Sequence, residues 1–327
     1  MSELATAVFA AHTDAHLVDA PRNRRFAEYA ASFDERAFLR ELTSRGLRWV
    51  ARSDPSYPAR LRSIHDPPPG LFVRGTALLD LLGRPAVAVV GARACSPYGA
   101  AVARMLGRDL AAAGVIVVSG LARGVDAEAH RGALDRGSTV AVLGCGIDRD
   151  YPRAHESLAA RIAEAGLIVS EYPPGVEPAP WRFPARNRIV AGLTVATVVV
   201  EARERSGALI TADLALDEGR DVLAVPGEIT SELSRGANQL LRLGAVPVTS
   251  SADVLEFVGM DPAPSPERAA LDPRLERVRA VVAAAATTAD ETANALGESA
   301  HTVAAALVEL ELLGLVEEVD GVYRASP

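Results

Sequence analysis

The middle of the chain alternates seven short β-branched runs with helical stretches, and a turn that contains glycine follows most of the runs. The runs are apolar on both faces, which is typical of strands buried on both sides of a parallel sheet. The seven runs occupy residues 86–90, 115–119, 139–143, 167–170, 195–201, 221–225 and 245–249. The pattern therefore predicts an α/β fold with a doubly wound parallel sheet, whose ligands lie at the carboxyl ends of the strands.

Two smaller segments flank this core. Residues 1–70 carry a helical pattern and end in a run of three prolines, which excludes both helix and central strand. Residues 262–266 contain three prolines and have the composition of a linker, and three helical patterns and two strand patterns follow them, the order of a winged helix-turn-helix. We therefore predict an N-terminal helical module and connector (1–70), a core domain (71–258), a linker (259–268) and a winged-helix-like domain (269–327).

The basic residues restrict the possible chemistry, because all 34 of them are arginine and the chain has no lysine. Schiff-base lysines and lysine-type P-loops are excluded, so a phosphate could be bound only by guanidinium or backbone N–H groups. The net charge of −8 argues against a generic nucleic-acid binder. The charge is unevenly distributed, however: residues 1–75 carry +2, residues 76–250 carry −1 and residues 251–327 carry −9.

Several classes of protein are excluded by composition. Hydrophobic residues make up 49% of the chain and charged residues 23%, which is typical of a globular protein rather than a disordered one. Two cysteines, Cys95 and Cys145, cannot form a disulfide framework or a four-cysteine zinc site. The apolar runs are far shorter than the roughly 18–20 residues of a membrane span, and the first twenty residues contain no arginine. We expect no membrane span and a cytoplasmic location.

The turns after the first two strands contain glycine but match no standard nucleotide motif. The first contains Arg93 and a Ser-Pro helix start, which could offer a guanidinium and N–H groups to a phosphate, although an ordinary tight turn explains it equally well. In the second, Gly120 and Gly124 would let the backbone approach a ligand closely. Asp126 and His130 share a helix face and could form an acid–base pair, but a helix cap and a packing hydrogen bond explain them better.

Residues 181–188 combine three arginines, one asparagine and two aromatic residues directly before a predicted helix that leads into a buried strand. Positive charge beside an aromatic surface is what single-stranded nucleic acid requires, because every base has a face that can stack. A solvated loop with Trp181 or Phe183 packed inward would have the same composition. The composition alone leaves both interpretations open.

Ser206 and Gly207 start the helix that follows the fifth strand, and such a start can form a small pocket for a phosphate. As a catalytic nucleophile, Ser206 would need a histidine base, and the candidates are His130 and His155. Neither histidine comes with a recognisable triad, and the G-x-S-x-G motif is absent.

Taken in order, these motifs resemble those of the bacterial DNA-processing protein A family, also called DprA or Smf. The resemblance covers about residues 55–250, and it is the ordered set that is specific rather than any single motif. The matching motifs lie at residues 57–58, 66–68, 91–93, 119–126, 130, 144–152, 183–189, 206–212, 225–227 and 236–240.

The resemblance implies an extended Rossmann-like domain that binds single-stranded DNA, is not an enzyme and needs no cofactor or metal. It also implies a homodimer that hands the strand to the RecA recombinase, in natural transformation or in general recombination, and we expect the dimer contact within residues 237–257. The residues expected to bind DNA are Arg93, Gly120, Phe183, Arg186, Asn187, Arg188, Ser206 and Gly207. We expect the arginines to act as phosphate partners that fill no core volume.

The two ends of the chain depart from simple DNA-binding expectations. Residues 1–50 show no convincing helix-hairpin-helix glycine pattern, so a DNA role for this module is doubtful. The predicted recognition helix, residues 301–313, contains Glu309 and Glu311 but no arginine. Counterion release cannot drive DNA binding there, which favours a protein-binding or spacer role.

One alternative function belongs to a different class. Nucleoside-monophosphate phosphoribohydrolases use a related Rossmann core and carry a P-G-G-x-G-T loop near a catalytic acid. In this chain residues 206–211 occupy the place of that loop, and Glu201 and Glu204 are the acids that leave an enzymatic function open.

Overall fold

The computed structural model describes residues 2–13, 24–261, 271–319 and 321–325. The chain divides into two compact units, Met1–Ala263 and Pro264–Pro327. Most of the predicted linker, residues 262–268, lies outside the described residues, as does Asp320 in the predicted turn of the wing.

The first unit is built on a sheet of nine strands. Its strands are β1 (Leu47–Ala51), β2 (Gly70–Arg74), β3 (Ala86–Val90), β4 (Ile116–Ser119), β5 (Thr139–Leu143), β6 (Leu167–Ser170), β7 (Ala196–Val199), β8 (Asp221–Ala224) and β9 (Val246–Pro247). The order across the sheet is β1-β2-β6-β5-β4-β3-β7-β8-β9. Strands β3 to β9 are parallel, whereas β2 is antiparallel to both of its neighbours, β1 and β6, so the predicted α/β class with a mainly parallel sheet is confirmed.

Eleven α-helices connect and cover these strands in the described part of the first unit. They are α1 (Glu3–Thr13), α2 (Arg24–Ser32), α3 (Glu35–Ser44), α4 (Ala59–Arg62), α5 (Pro97–Ala112), α6 (Val125–Leu134), α7 (Glu156–Ala165), α8 (Arg182–Leu193), α9 (Gly207–Asp217), α10 (Arg235–Arg242) and α11 (Ser251–Phe257). Within the described ranges, no helix combines the length and the apolar character that crossing a membrane would require.

The central strand β3 shows why the sheet is covered on both faces. Its side chains alternate between two hydrophobic clusters, with Val87 and Val89 in one and Ala88 and Val90 in the other. The first cluster includes residues of α5, α6 and α11, and the second includes residues of α8, α9 and α10. A strand that is apolar at every position can be buried only in such a three-layer arrangement.

The N-terminal segment differs from the sequence prediction of a helical module and connector over residues 1–70. Helices α1 to α3 are present, but β1 follows them and pairs with β2 in antiparallel register. The Trp49 ring packs on Phe72, with 4.6 Å between the ring centroids. Part of this segment therefore extends the core sheet, because the hairpin buries aromatic surface that a separate small module would expose.

The second unit is a winged helix. Its elements are α12 (Pro273–Ala284), β10 (Thr287–Thr288), α13 (Ala289–Leu296), α14 (Ala300–Leu312), β11 (Val316–Val319) and β12 (Val322–Ala325). The three strands form a sheet in the order β10-β12-β11 around a core that includes Val278, Val303 and Leu307. The predicted winged-helix order is confirmed, and only the two-residue β10 was missing from it.

A buried ion pair joins three separate segments of the first unit. The Arg188 guanidinium on α8 donates two hydrogen bonds to the Glu171 carboxylate, at 2.9 and 2.8 Å, and one at 3.0 Å to Asp66 in the proline-rich connector. Burial alone would lower the pKa of Arg188, but Glu171 and Asp66 raise it above its usual value. Glu171 is only 5% exposed, so losing this cation would leave a carboxylate buried without its partner.

We therefore expect Arg188→Met to reduce the free energy of unfolding by about 3–5 kcal/mol, the typical cost of breaking a buried ion pair from one side. The double variant Arg188→Met with Glu171→Gln should recover part of this loss, since it removes the orphaned charge. Urea denaturation of both variants measures the effect. A loss below about 1 kcal/mol in the single variant would contradict this role of Arg188.

Candidate nucleic-acid interface

A cavity of about 380 Å³ opens at the carboxyl ends of β3, β4 and β7, where the sequence places the ligand site. Four segments form most of its lining: the turn after β3, the loop between β4 and α6, the first turns of α8, and the segment from β7 into α9. Leu233, in the loop between β8 and α10, completes it. We call this cavity the strand-end pocket. Its position follows from the parallel sheet, which gathers the loops after neighbouring strands at one edge.

Seven of the eight predicted site residues line the strand-end pocket. They are Arg93, Gly120, Phe183, Arg186, Asn187, Ser206 and Gly207. Arg188 does not line it, because its guanidinium is held by Glu171 and Asp66. Arg203 and Arg205 do line it, and both are exposed, although the predicted site did not include them.

The floor of the pocket is a buried polar network rather than an exposed cation. Arg186 is only 4% exposed, and it donates a 2.9 Å hydrogen bond to the Gly120 carbonyl. The Asp126 carboxylate accepts from the Gly120 N–H at 3.1 Å and from the Ala122 N–H at 3.2 Å. Burial lowers the pKa of Arg186, an effect that nearby Asp126 opposes.

This geometry contradicts the expectation that Arg186 fills no core volume, because the side chain is only 4% exposed. Together with Asp126 it fixes both polar groups of the Gly120 segment, and it also lines the strand-end pocket. Contact of Arg186 with a phosphate stays a prediction. The neighbouring Asn187 connects α8 to the start of α9, through a 3.3 Å hydrogen bond to the Gly207 carbonyl. These two residues position the pocket walls.

Asp126 and His130 do not form an acid–base pair. His130 Nδ1 lies 2.7 Å from the Thr139 hydroxyl in the core, which confirms the expected packing hydrogen bond. Burial lowers the pKa of His130 to about 3, so its ring is neutral at physiological pH. The predicted helix cap is wrong, because Gly124 is the N-cap of α6 and Asp126 binds the preceding loop instead.

An aromatic pair stands beside the pocket. The Phe183 ring stacks on Tyr151, with 5.2 Å between centroids and 28° between ring planes. The Arg93 guanidinium lies 5.6 Å from the centroid of the same Phe183 ring. Phe183 is half-buried, so it is neither a fully exposed stacking surface nor a fully packed core residue. Tyr151 was not among the predicted site residues, although its place after β5 puts it at the same edge of the sheet.

Two of the polar groups that could support hydrolysis, Glu201 and Ser206, hold helix starts. Glu201 is buried and accepts from the Ser96 N–H at 2.9 Å and from the Ser96 hydroxyl at 2.5 Å, so its carboxylate holds the start of α5. The Ser206 hydroxyl accepts from the Ala208 N–H at 3.3 Å and caps α9. His155, one of the considered bases, places Nδ1 3.0 Å from the Leu121 carbonyl instead.

The charge of the lining is strongly positive. Four arginines and one aspartate line the strand-end pocket, which gives a formal charge of +3 within a chain of net charge −8. Among the described residues, no carboxylate lies within ion-pair distance of Arg93, Arg203 or Arg205. Three exposed guanidinium groups therefore remain available to an anionic ligand at one concave site.

Comparison with known proteins identifies the family. The protein-family model described as DNA recombination-mediator protein A matches residues 48–259, and the family model of the DprA winged helix domain matches residues 261–321. The putative DNA processing protein DprA of Mycobacterium tuberculosis is 44% identical over 309 residues, which cover 88% of this chain and 79% of that protein. DprA of Streptococcus pneumoniae is 48% identical over 203 residues, which cover 62% and 71%.

Two solved structures are similar over most of their own length. The X-ray structure of Streptococcus pneumoniae DprA has a TM-score of 0.66 and 41% identity, and the match covers 77% of this chain and 91% of that one. DNA processing protein A of Helicobacter pylori, described with a unique single-stranded DNA binding mode, has a TM-score of 0.56 and 32% identity, with coverage of 62% and 91%. The chain therefore belongs to the DNA recombination-mediator protein A family, the family of DprA and Smf.

Proposed function

We propose that the chain binds single-stranded DNA in the strand-end pocket. The observation that carries this proposal is the concentration of positive charge at one concave site of an otherwise acidic chain, directly beside an aromatic pair. Arg93, Arg203 and Arg205 would contact phosphates, and unpaired bases would face the aromatic surface. The single-stranded DNA binding described for the Helicobacter pylori relative supports the same ligand class.

The pocket favours a single strand over a duplex for a physical reason. In a duplex the base faces are stacked on one another, so an aromatic residue cannot reach them without breaking the stack. Phosphate contacts alone would bind both polymers. Fluorescence anisotropy with single-stranded and duplex oligonucleotides over a salt series separates the two contributions. Equal affinity for both polymers, or no binding at low salt, would contradict the proposal.

Arg93→Ala should weaken single-strand binding and reduce the steepness of the plot of log K against log salt by about 0.7, the value for one lost phosphate contact. The fold should be unaffected, because Arg93 is exposed and makes no ion pair among the described residues. Arg161→Ala removes an equally charged exposed residue from α7, on a different part of the unit, and serves as the matched control. An unchanged slope in the Arg93 variant would place the phosphate contacts elsewhere.

We infer that binding is not accompanied by catalysis. Glu201, Ser206 and His130 are each committed to a helix start or a core hydrogen bond. Glu204, the other acid considered for hydrolysis, is exposed and does not line the strand-end pocket. No observed contact favours the phosphoribohydrolase alternative over DNA binding. Release of free base from a nucleoside monophosphate would contradict this inference.

We also propose that the bound strand passes to the RecA recombinase in the cytoplasm, during natural transformation or recombination. The family description as a recombination mediator supports this role. RecA filament assembly on single-stranded DNA, measured with and without this protein, tests the proposal. An unchanged assembly rate would count against it.

A homodimer through the late part of the first unit is a further proposal. Within the expected region, residues 237–257, Val254 and Leu255 are buried in the chain's own core and cannot form the contact. Leu243 is 77% exposed after α10, and Val246 lies on the edge strand β9. A twofold contact there would join two pockets and raise the affinity for long strands. A monomer in light scattering at micromolar concentration would oppose it.

The winged unit presents a surface that does not suit DNA. Helix α14, the recognition helix of this fold, exposes Val308, Glu309, Glu311 and Leu312 and contains no arginine. Acidic side chains repel phosphates and apolar side chains make no favourable contact with them, whereas recognition helices that enter the major groove rely on basic contacts. We therefore propose that this unit contacts another protein or acts as a spacer.

Ending the chain after Asp261 should leave the affinity for single-stranded DNA within about threefold of the full-length value. Removing the acidic tail should raise the affinity at low ionic strength, because charge repulsion is screened beyond roughly 8–10 Å at physiological salt. The anisotropy series on both chain lengths provides the measurement. A loss of tenfold or more at physiological salt, with the shortened chain still folded, would show that the winged unit binds DNA.

A further inference from the structure

The loop after β5 carries an exposed aromatic residue that the proposed pocket does not include. Tyr151 is 43% exposed, and it does not line the strand-end pocket. An exposed ring beside a positively charged, concave site is a candidate contact for a nucleobase, because aromatic side chains stack on unpaired bases.

The aromatic pair has an inner and an outer member. Phe183 is contacted by the Arg93 guanidinium at 5.6 Å and by the Tyr151 ring at 5.2 Å, and it is half-buried. These two neighbours restrict the access of a base to the Phe183 ring. Tyr151 is the outer ring, and it offers the larger exposed aromatic surface at this edge of the sheet.

The loop that carries Tyr151 is fixed at several points. Asp148 accepts hydrogen bonds from the Gly175 N–H at 2.8 Å and from Arg45 at 2.7 Å. Asp150 forms an ion pair with Arg74 of β2, and the buried His155 is held at the Leu121 carbonyl. An exposed aromatic residue on an anchored loop loses little conformational freedom on binding, as in rigid aromatic contacts of other binding surfaces.

The surroundings of Tyr151 also suit a DNA backbone. Arg153, two residues further on, is exposed, and within the described ranges no carboxylate lies at ion-pair distance from it. Strand β5 is the neighbour of β4, whose loop supplies Gly120 to the pocket, and adjacent strands lie about 4.8 Å apart. The Tyr151 ring centroid lies 5.2 Å from that of Phe183, which lines the pocket, so a DNA strand that leaves the pocket past Phe183 would meet Tyr151 at the next nucleotide.

We propose that Tyr151 forms a second subsite, which stacks on an unpaired nucleobase adjacent to the nucleotide held in the strand-end pocket. This inference rests on the proposed binding of single-stranded DNA. It adds a base-stacking position outside the pocket, and it means that the DNA strand runs across the carboxyl ends of β4 and β5.

The test compares Tyr151→Phe and Tyr151→Leu in the full-length chain by anisotropy with single-stranded oligonucleotides. Tyr151→Phe keeps the aromatic face and should bind within about twofold of the unmodified protein. Tyr151→Leu keeps apolar bulk but loses that face, and its affinity should fall at least about fivefold. The salt slope should stay unchanged in both, because no phosphate contact is lost. Tyr98→Leu, at another exposed tyrosine, is the matched control.

A second measurement reports stacking directly. An oligonucleotide with 2-aminopurine at successive positions should show fluorescence quenching by the unmodified protein, and Tyr151→Leu should remove the quenching at one position only. Affinity and quenching unchanged by Tyr151→Leu, with the Arg93→Ala defect present, would overturn the subsite and leave the proposed function intact. Absence of single-strand binding by the unmodified protein would overturn both.

Discussion

The strand-end pocket depends on one buried guanidinium. Arg186 lies on α8 and donates a hydrogen bond to the Gly120 carbonyl, and the Asp126 carboxylate accepts one from the Gly120 N–H. The loop after β4 is thereby tied to a helix that follows β6 in the chain. Burial makes this network costly to break, since each polar group would lose its partner away from water. The exposed cations of the pocket are arranged around this floor.

Two groups of arginines in the first unit have different surroundings. Arg188, Arg74 and Arg45 pair with carboxylates and join segments of the first unit. Arg93, Arg203 and Arg205 stand at the pocket without such partners among the described residues. Because the chain has no lysine, the same residue type serves both purposes, and only the position of the acidic residues distinguishes them. This distribution places a positive site on an acidic protein.

Much of the sheet could be predicted from the sequence because its strands are short β-branched runs between glycine turns. Runs 86–90, 139–143 and 167–170 coincide with the bounds of β3, β5 and β6. The position of the pocket at one edge of the sheet could also be predicted, because parallel strands bring their carboxyl ends, and the loops after them, together. Strand β1 could not be predicted, because its pattern continues a helical region and its partner lies beyond a proline run.

Which of the arginines on α8 faces the pocket could not be predicted from the local sequence. Arg186 and Arg188 are two positions apart on α8, so their side chains point about 200° apart and reach different neighbours. Nothing in the local sequence tells which one meets Glu171 and which one meets Gly120, because both partners are distant in the chain. Tyr151 was missed for the same reason, since its stacking on Phe183 is a tertiary contact.

Hydrogen–deuterium exchange with and without single-stranded DNA locates the bound strand on the intact chain. If the strand-end pocket and Tyr151 bind it, DNA should slow exchange in the loops after β3, β4, β5 and β7 and in the first turn of α8, while α14 is unaffected. Protection confined to the winged unit, or spread over surfaces away from these loops, would contradict this binding site.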